Sequence, residues 1–126
     1  MNEIYEVWNP IIDSQLPMKL SFKSMDFSPE QLKVNLLATS QKSISLVFSP
    51  APLVVKICNE SFRLITLVHL PKPKQGSIFL VTNSHLLEDF HRDSLNIYVN
   101  DPIFHLAIVT DEWVDVITSS FPKIQN

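Results

Sequence analysis

The chain has 126 residues, 45% of them hydrophobic and 18% charged, with a formal net charge of −3. These values suit one globular domain over residues 1–126 and exclude a disordered chain; the acidic balance disfavours non-specific nucleic-acid binding. The single cysteine, Cys58, forbids an intramolecular disulfide and points to a reducing, cytoplasmic setting.

Residues 1–8 lack the basic and apolar regions of a signal peptide, and Tyr5, Val7 and Trp8 suit either a strand or a helical turn. No uncharged apolar run approaches the ~20 residues of a membrane-spanning helix, so no membrane role is expected. Period-two alternation then dominates. Met18, Leu20 and Phe22 alternate with Lys19, Ser21 and Lys23; Leu32, Val34 and Leu36 alternate with Lys33 and Asn35; Ile44, Leu46 and Phe48 alternate with Ser43 and Ser45. The same spacing recurs at Leu53, Val55 and Ile57, and at Phe62, Leu64, Thr66 and Val68. Side chains two apart share one face of a strand, so each run predicts a strand. Phe62–Leu70 is apolar on both faces and is expected to lie centrally. Turn residues punctuate the runs at Ser28-Pro29-Glu30, Ser40-Gln41-Lys42, Ser49-Pro50-Ala51-Pro52 and Asn59-Glu60-Ser61. Pro71–Gly76 reads as a stiff, basic, exposed loop.

Ser77–Val81 predicts another strand, followed by a helix near residues 84–92. Asn83 or Ser84 can cap it, because each offers a side-chain oxygen to the free N–H groups of the first turn. Leu86, Leu87 and Phe90 form its apolar stripe, and Glu88 and Arg92 can pair one turn apart. Phe104, Leu106 and Ile108 and then Trp113–Ile117 predict two further strands, joined by a tight turn at Thr110-Asp111-Glu112.

These elements predict a mainly β fold: an antiparallel twisted sheet or flattened barrel with one short helix. A two-layer α+β fold is the alternative if Asn9–Leu16 or Ser28–Val34 is helical.

One glycine, Gly76, stands against nine prolines. Loops that cradle phosphates need glycines for close backbone approach, so a P-loop, a dinucleotide fingerprint and a glycine-flanked nucleophile elbow are excluded. Neither C-x-x-C nor H-E-x-x-H occurs, so no structural zinc site is expected, and nothing calls for a cofactor. His85, His91 and Glu88 could hold a metal, but surface histidines on a solvated helix are the commoner case. Cys58 with His69 or His105 could form a nucleophile pair, yet nothing near Cys58 supplies the electropositive setting a thiolate needs. No catalytic residue is assigned, and the chain is expected not to be an enzyme.

Charge is unevenly placed. Residues 1–80 carry eight Lys/Arg against six Asp/Glu (net +2), whereas residues 81–126 carry two against seven (net −5). Asp111, Glu112 and Asp115 cluster near one turn around Trp113, and Glu88 and Asp89 lie on the helix. A tryptophan among carboxylates is a plausible interface anchor, so these six residues are the expected binding surface.

The C-terminal third resembles a group of small bacterial proteins. The resemblance rests on Asn83-Ser84 opening a short helix that contains Phe90, on His105–Thr110 and on Asp115-Val116-Ile117, with Tyr5 and Trp8 near the start. That group has an aromatic after the histidine where this chain has Leu106. Some members resemble immunity proteins of toxin systems, which neutralise a toxin by direct contact. The resemblance implies a non-enzymatic inhibitor of a protein partner, such as a basic toxin domain. A carrier of a small apolar ligand and a subunit of an oligomeric scaffold are the alternatives.

Overall fold

The computed structural model describes residues 2–8, 20–38, 42–59, 70 and 77–125. Along these residues the strands are β1 (Ile4–Val7), β2 (Leu20–Phe27), β3 (Leu32–Ala38), β4 (Ser43–Phe48), β5 (Val54–Asn59), β6 (Ser77–Thr82), β7 (Phe104–Val109), β8 (Glu112–Thr118) and β9 (Lys123–Gln125). The helix α1 spans His85–Asp93. The protein is mainly β, and the strands form two antiparallel sheets rather than one closed barrel. One sheet has the order β1-β6-β7-β8-β5 and the other β2-β3-β4-β9.

The alternation read from the sequence produces the core directly. Along β3, Leu32, Val34, Leu36 and Ala38 are buried while the residues between them are half-exposed. Leu32, Val34 and Leu36 lie opposite Phe48, Leu46 and Ile44 of β4. That face packs on Ile78, Leu106, Ile108, Val114 and Val116 of the five-stranded sheet in one apolar cluster. Each such side chain, fully buried, contributes about 1.5–3 kcal/mol, so this layer dominates stability.

The four-stranded sheet turns a polar face outward. There Asn35 Nδ2 donates to Ser24 Oγ and Asp26 Oδ2, both at 3.0 Å, and Ser45 Oγ donates to Asn35 Oδ1 at 2.7 Å.

β2 runs to Phe27, beyond the Met18–Phe22 alternation, because the register shifts between Phe22 and Ser24. Leu20 and Phe22 pack at even positions, and Met25 packs inward from an odd one. A single extra residue at Lys23 reconciles the two parities, as a β-bulge does. β9 was not anticipated; its three residues carry only one partly buried apolar side chain, Ile124. The helical alternative for Ser28–Val34 does not hold, since Leu32 begins β3. The expected strand over Phe62–Leu70 (apart from Leu70), the loop 71–76 and the alternative helix 9–16 lie outside the described residues.

The central strands of the five-stranded sheet, β7 and β8, are buried on both faces. The second face of that sheet carries Phe79, Val81, Ala107, Val109 and Trp113, with Leu70 packed among them. Tyr5 meets Phe79 and Trp113 edge-on, with ring centroids 6.2 and 6.3 Å away. Near the C-terminus, Phe121 stacks on Trp8 at 4.9 Å and packs against Phe104 at 4.5 Å. Among the described residues, no helix is long and apolar enough to cross a membrane.

β6 and β7 are antiparallel neighbours, yet the chain between them runs through residues 83–103. A two-residue turn would connect such strands. The excursion instead builds α1 and a series of turns, and it positions the candidate site.

Candidate functional site

Ser84 starts α1. Its side chain accepts a hydrogen bond from the Leu87 N–H at 2.9 Å, the geometry of an N-cap. The preceding Asn83 takes a left-handed conformation, φ 56°, which asparagine tolerates better than most residues. The lead into β1 ties down the same end: the His85 N–H donates to Glu3 Oε2 at 2.9 Å, and Asn83 Nδ2 donates to the Asn2 carbonyl at 3.3 Å.

Behind Ser84 lies a buried polar chain. Ser84 Oγ is 2.7 Å from His105 Nδ1, and His105 Nε2 is 2.7 Å from Asp115 Oδ1. Trp113 Nε1 donates to the same oxygen at 3.0 Å. A single direction satisfies every group. Trp113 N–H and His105 Nε2–H both donate to the carboxylate, and Ser84 O–H donates to His105 Nδ1 while its oxygen accepts from Leu87. His105 and Asp115 are both almost wholly enclosed. Burial in low dielectric makes each of these bonds costly to break.

The hairpin register explains why these residues meet. Val109 pairs with Trp113, Ala107 with Asp115 and His105 with Ile117, with Asp111 at the tip. All six therefore share one face, and His105 and Asp115 are diagonal neighbours across two strands. The turn at Thr110–Glu112 was legible; writing out its register would have placed the histidine beside the carboxylate.

The expected acidic surface is rearranged. Trp113 has 0% exposure and Asp115 1%, so neither belongs to a surface patch. Alternation marks two faces of a strand but not which is wet, and here both are covered. Asp111 is exposed and accepts a hydrogen bond from the Phe22 N–H beside the β2 bulge at 2.7 Å, which joins the two sheets. Glu112 is half-buried and its carbonyl accepts from Thr110 Oγ1 at 3.0 Å. Glu88 and Asp89 are exposed on α1, each paired with Arg92, at 3.6 and 3.2 Å. Asp111 and Glu112 lie at the β7–β8 turn, whereas Glu88 and Asp89 lie on α1, which precedes the other end of β7, so the two pairs come from separate parts of the fold.

The region that sequence reasoning missed is the far end of the excursion. No residue of α1 is buried, and Leu86, Leu87 and Phe90 are only partly covered. A cleft of about 490 Å³ lies on one side of the helix, lined among others by Ser84, Leu87, Glu88 and Val99. A second, of about 290 Å³, lies between Leu86, Phe90 and Val54. After the helix, Leu95 (φ 54°) and Asn96 (φ 59°) are left-handed, and the Asn96 N–H closes the end by donating to the His91 carbonyl at 2.8 Å. Phe90 holds Tyr98 at 5.4 Å. Leu95, Ile97 and Val99 are left 85%, 71% and 57% exposed. Leu95 uses its left-handed backbone to end the helix, with its N–H on the Arg92 carbonyl, while its side chain stays in solvent; backbone strain of this kind gathers at functional segments.

His85 is exposed at the first position of α1, and His91 is half-buried along the larger cleft. Among the described residues, no three His, Cys, Asp or Glu side chains are placed to hold a metal ion. Cys58 lies opposite Trp113 and packs on its cluster, and His69 lies outside the described residues. Comparison with protein-family models, curated proteins and solved structures gives no match for this chain.

Proposed function

We propose that this chain is a protein-binding domain that acts by direct contact, in the manner of an immunity-type inhibitor in the bacterial cytoplasm, and that it docks through α1 and residues 94–101. The observation that carries this reading is the exposure of Leu95, Ile97 and Val99 on one solvated segment. Monomeric proteins seldom leave such apolar side chains together without a use. The surroundings supply a polar rim: Glu88, Asp89, Asp93 and Asp101 against Arg92 alone, a net charge of −3 with the histidines neutral. An apolar centre with an acidic rim fits a partner that presents an apolar knob among basic residues. The free thiol of Cys58 is compatible with a reducing compartment.

The test compares the unaltered protein with the triple variant Leu95→Asp, Ile97→Asp, Val99→Asp as bait. The partner captured by the former is then purified and titrated against both. A partner with a basic surface, binding roughly a hundredfold weaker to the triple variant, supports the reading. Equal affinity for both baits refutes the assignment of this surface.

A further inference from the structure

Ser84, His105 and Asp115 point beyond recognition to chemistry. We propose that Ser84 is a nucleophile, activated by His105 and positioned through Asp115, that accepts a short acyl group from a carboxylic ester bound in the larger cleft beside α1.

A helix cap requires only an oxygen at position 84. It does not require an imidazole and a carboxylate behind it, and burying that pair costs desolvation that two apolar residues would avoid. The hydrogen bonds also set a direction. Asp115 Oδ1 accepts the hydrogen bond from His105 Nε2–H, so the lone pair of Nδ1 faces Ser84 Oγ at 2.7 Å. A nucleophile within reach of a base that a third group orients is the arrangement of covalent catalysis. The three residues come from three elements: the β6–α1 junction, β7 and β8.

The backbone supplies the remaining part. Ser84 sits where a strand turns through a left-handed residue into a helix. First-turn N–H groups converge on the cap position, and among the described residues the Leu86 amide has no partner. An oxyanion formed on a carbon bonded to Ser84 Oγ meets that amide and the positive end of the helix dipole. Ser84 is only 6% exposed and is one of the residues that line the cleft. Leu87 and Val99 provide an apolar wall there for an acyl chain, and Asn83 and Asn96 provide polar edges.

In the step itself, Ser84 Oγ bonds to the ester carbonyl carbon as its proton passes to His105 Nδ1. Collapse of the tetrahedral anion breaks the bond to the alkoxy oxygen, which takes the proton from His105 and leaves as the alcohol. Water then attacks the acyl-serine and gives its proton to Nδ1. That proton returns to Ser84 Oγ as the carboxylic acid departs. Asp115 is a positioning residue that keeps Nδ1 as the acceptor.

The test treats the full chain with p-nitrophenyl acetate and, separately, with a fluorophosphonate, followed by intact-mass measurement and peptide mapping. The expected result is one adduct, on Ser84, with p-nitrophenol released faster than in buffer. Ser84→Ala removes both, and Asp115→Asn slows labelling roughly a hundredfold or more and alters its pH profile. Absence of an adduct on Ser84 of the unaltered protein, or an adduct elsewhere, leaves Ser84 a cap and overturns the proposal. That mapping needs no variant to fold and no partner to be known, so it stands or falls separately from the docking surface.

Discussion

The sandwich of two sheets and the excursion over residues 83–103 are built on opposite terms. In the sandwich, nearly every apolar side chain of β3, β4, β7 and β8 is enclosed, and β7 and β8 are covered on both faces. In the excursion nothing along α1 is buried, and the segment after it turns apolar side chains to solvent. The excursion is fixed chiefly at its start, where Ser84, Asn83 and His85 are tied to His105 and to the lead of β1. The enclosed apolar core and the most solvated apolar side chains, Leu95 and Ile97, thus lie in different parts of the chain, with the Ser84–His105–Asp115 chain at the junction.

Substitutions probe this contrast. The largest losses are expected in the sandwich. Leu106→Ala or Leu46→Ala, each at a fully buried position, costs about 2–5 kcal/mol in urea unfolding. Next comes the junction. Asp115→Ala strands the Trp113 and His105 donors in a dry site and costs about 3 kcal/mol, whereas Trp113→Phe keeps most of the ring and loses about 1 kcal/mol through its N–H. Ser84→Ala removes the cap and costs about 1 kcal/mol. A double-mutant cycle of Ser84→Ala with Asp115→Asn is expected to show coupling of about 0.5–3 kcal/mol, since both act on His105; strict additivity would deny a continuous chain. The smallest effect belongs to the tip. Ile97→Asp changes stability by no more than about 0.5 kcal/mol while weakening partner binding. A large loss of stability there would make the segment part of the core after all.

Much of this architecture was legible. Alternation marked β3, β4, β7 and β8, and a capping serine followed by an apolar stripe marked α1. What escaped has definite physical causes. The bulge at Lys23 switches the inward parity of β2, so a strict period-two reading stops at Phe22. β9 is too short to show a period. Asp115 and Trp113 look like surface residues because alternation cannot reveal that the second face of β8 is covered. The exposed turn at Leu95–Val99 shows mixed apolar and polar residues with no period, and its left-handed backbone lies at Leu95 and Asn96, without the glycine that usually signals such a turn.

Native-state hydrogen exchange resolved by residue distinguishes the two regions. The amides of Leu106, Ala107, Val114 and Val116 are expected to exchange only through global unfolding. Those from Phe90 to Asp101 are expected to exchange through a local opening of markedly lower free energy. Protection of α1 and the following turn equal to that of β7 would contradict the account, because the excursion would then be one cooperative unit with the core.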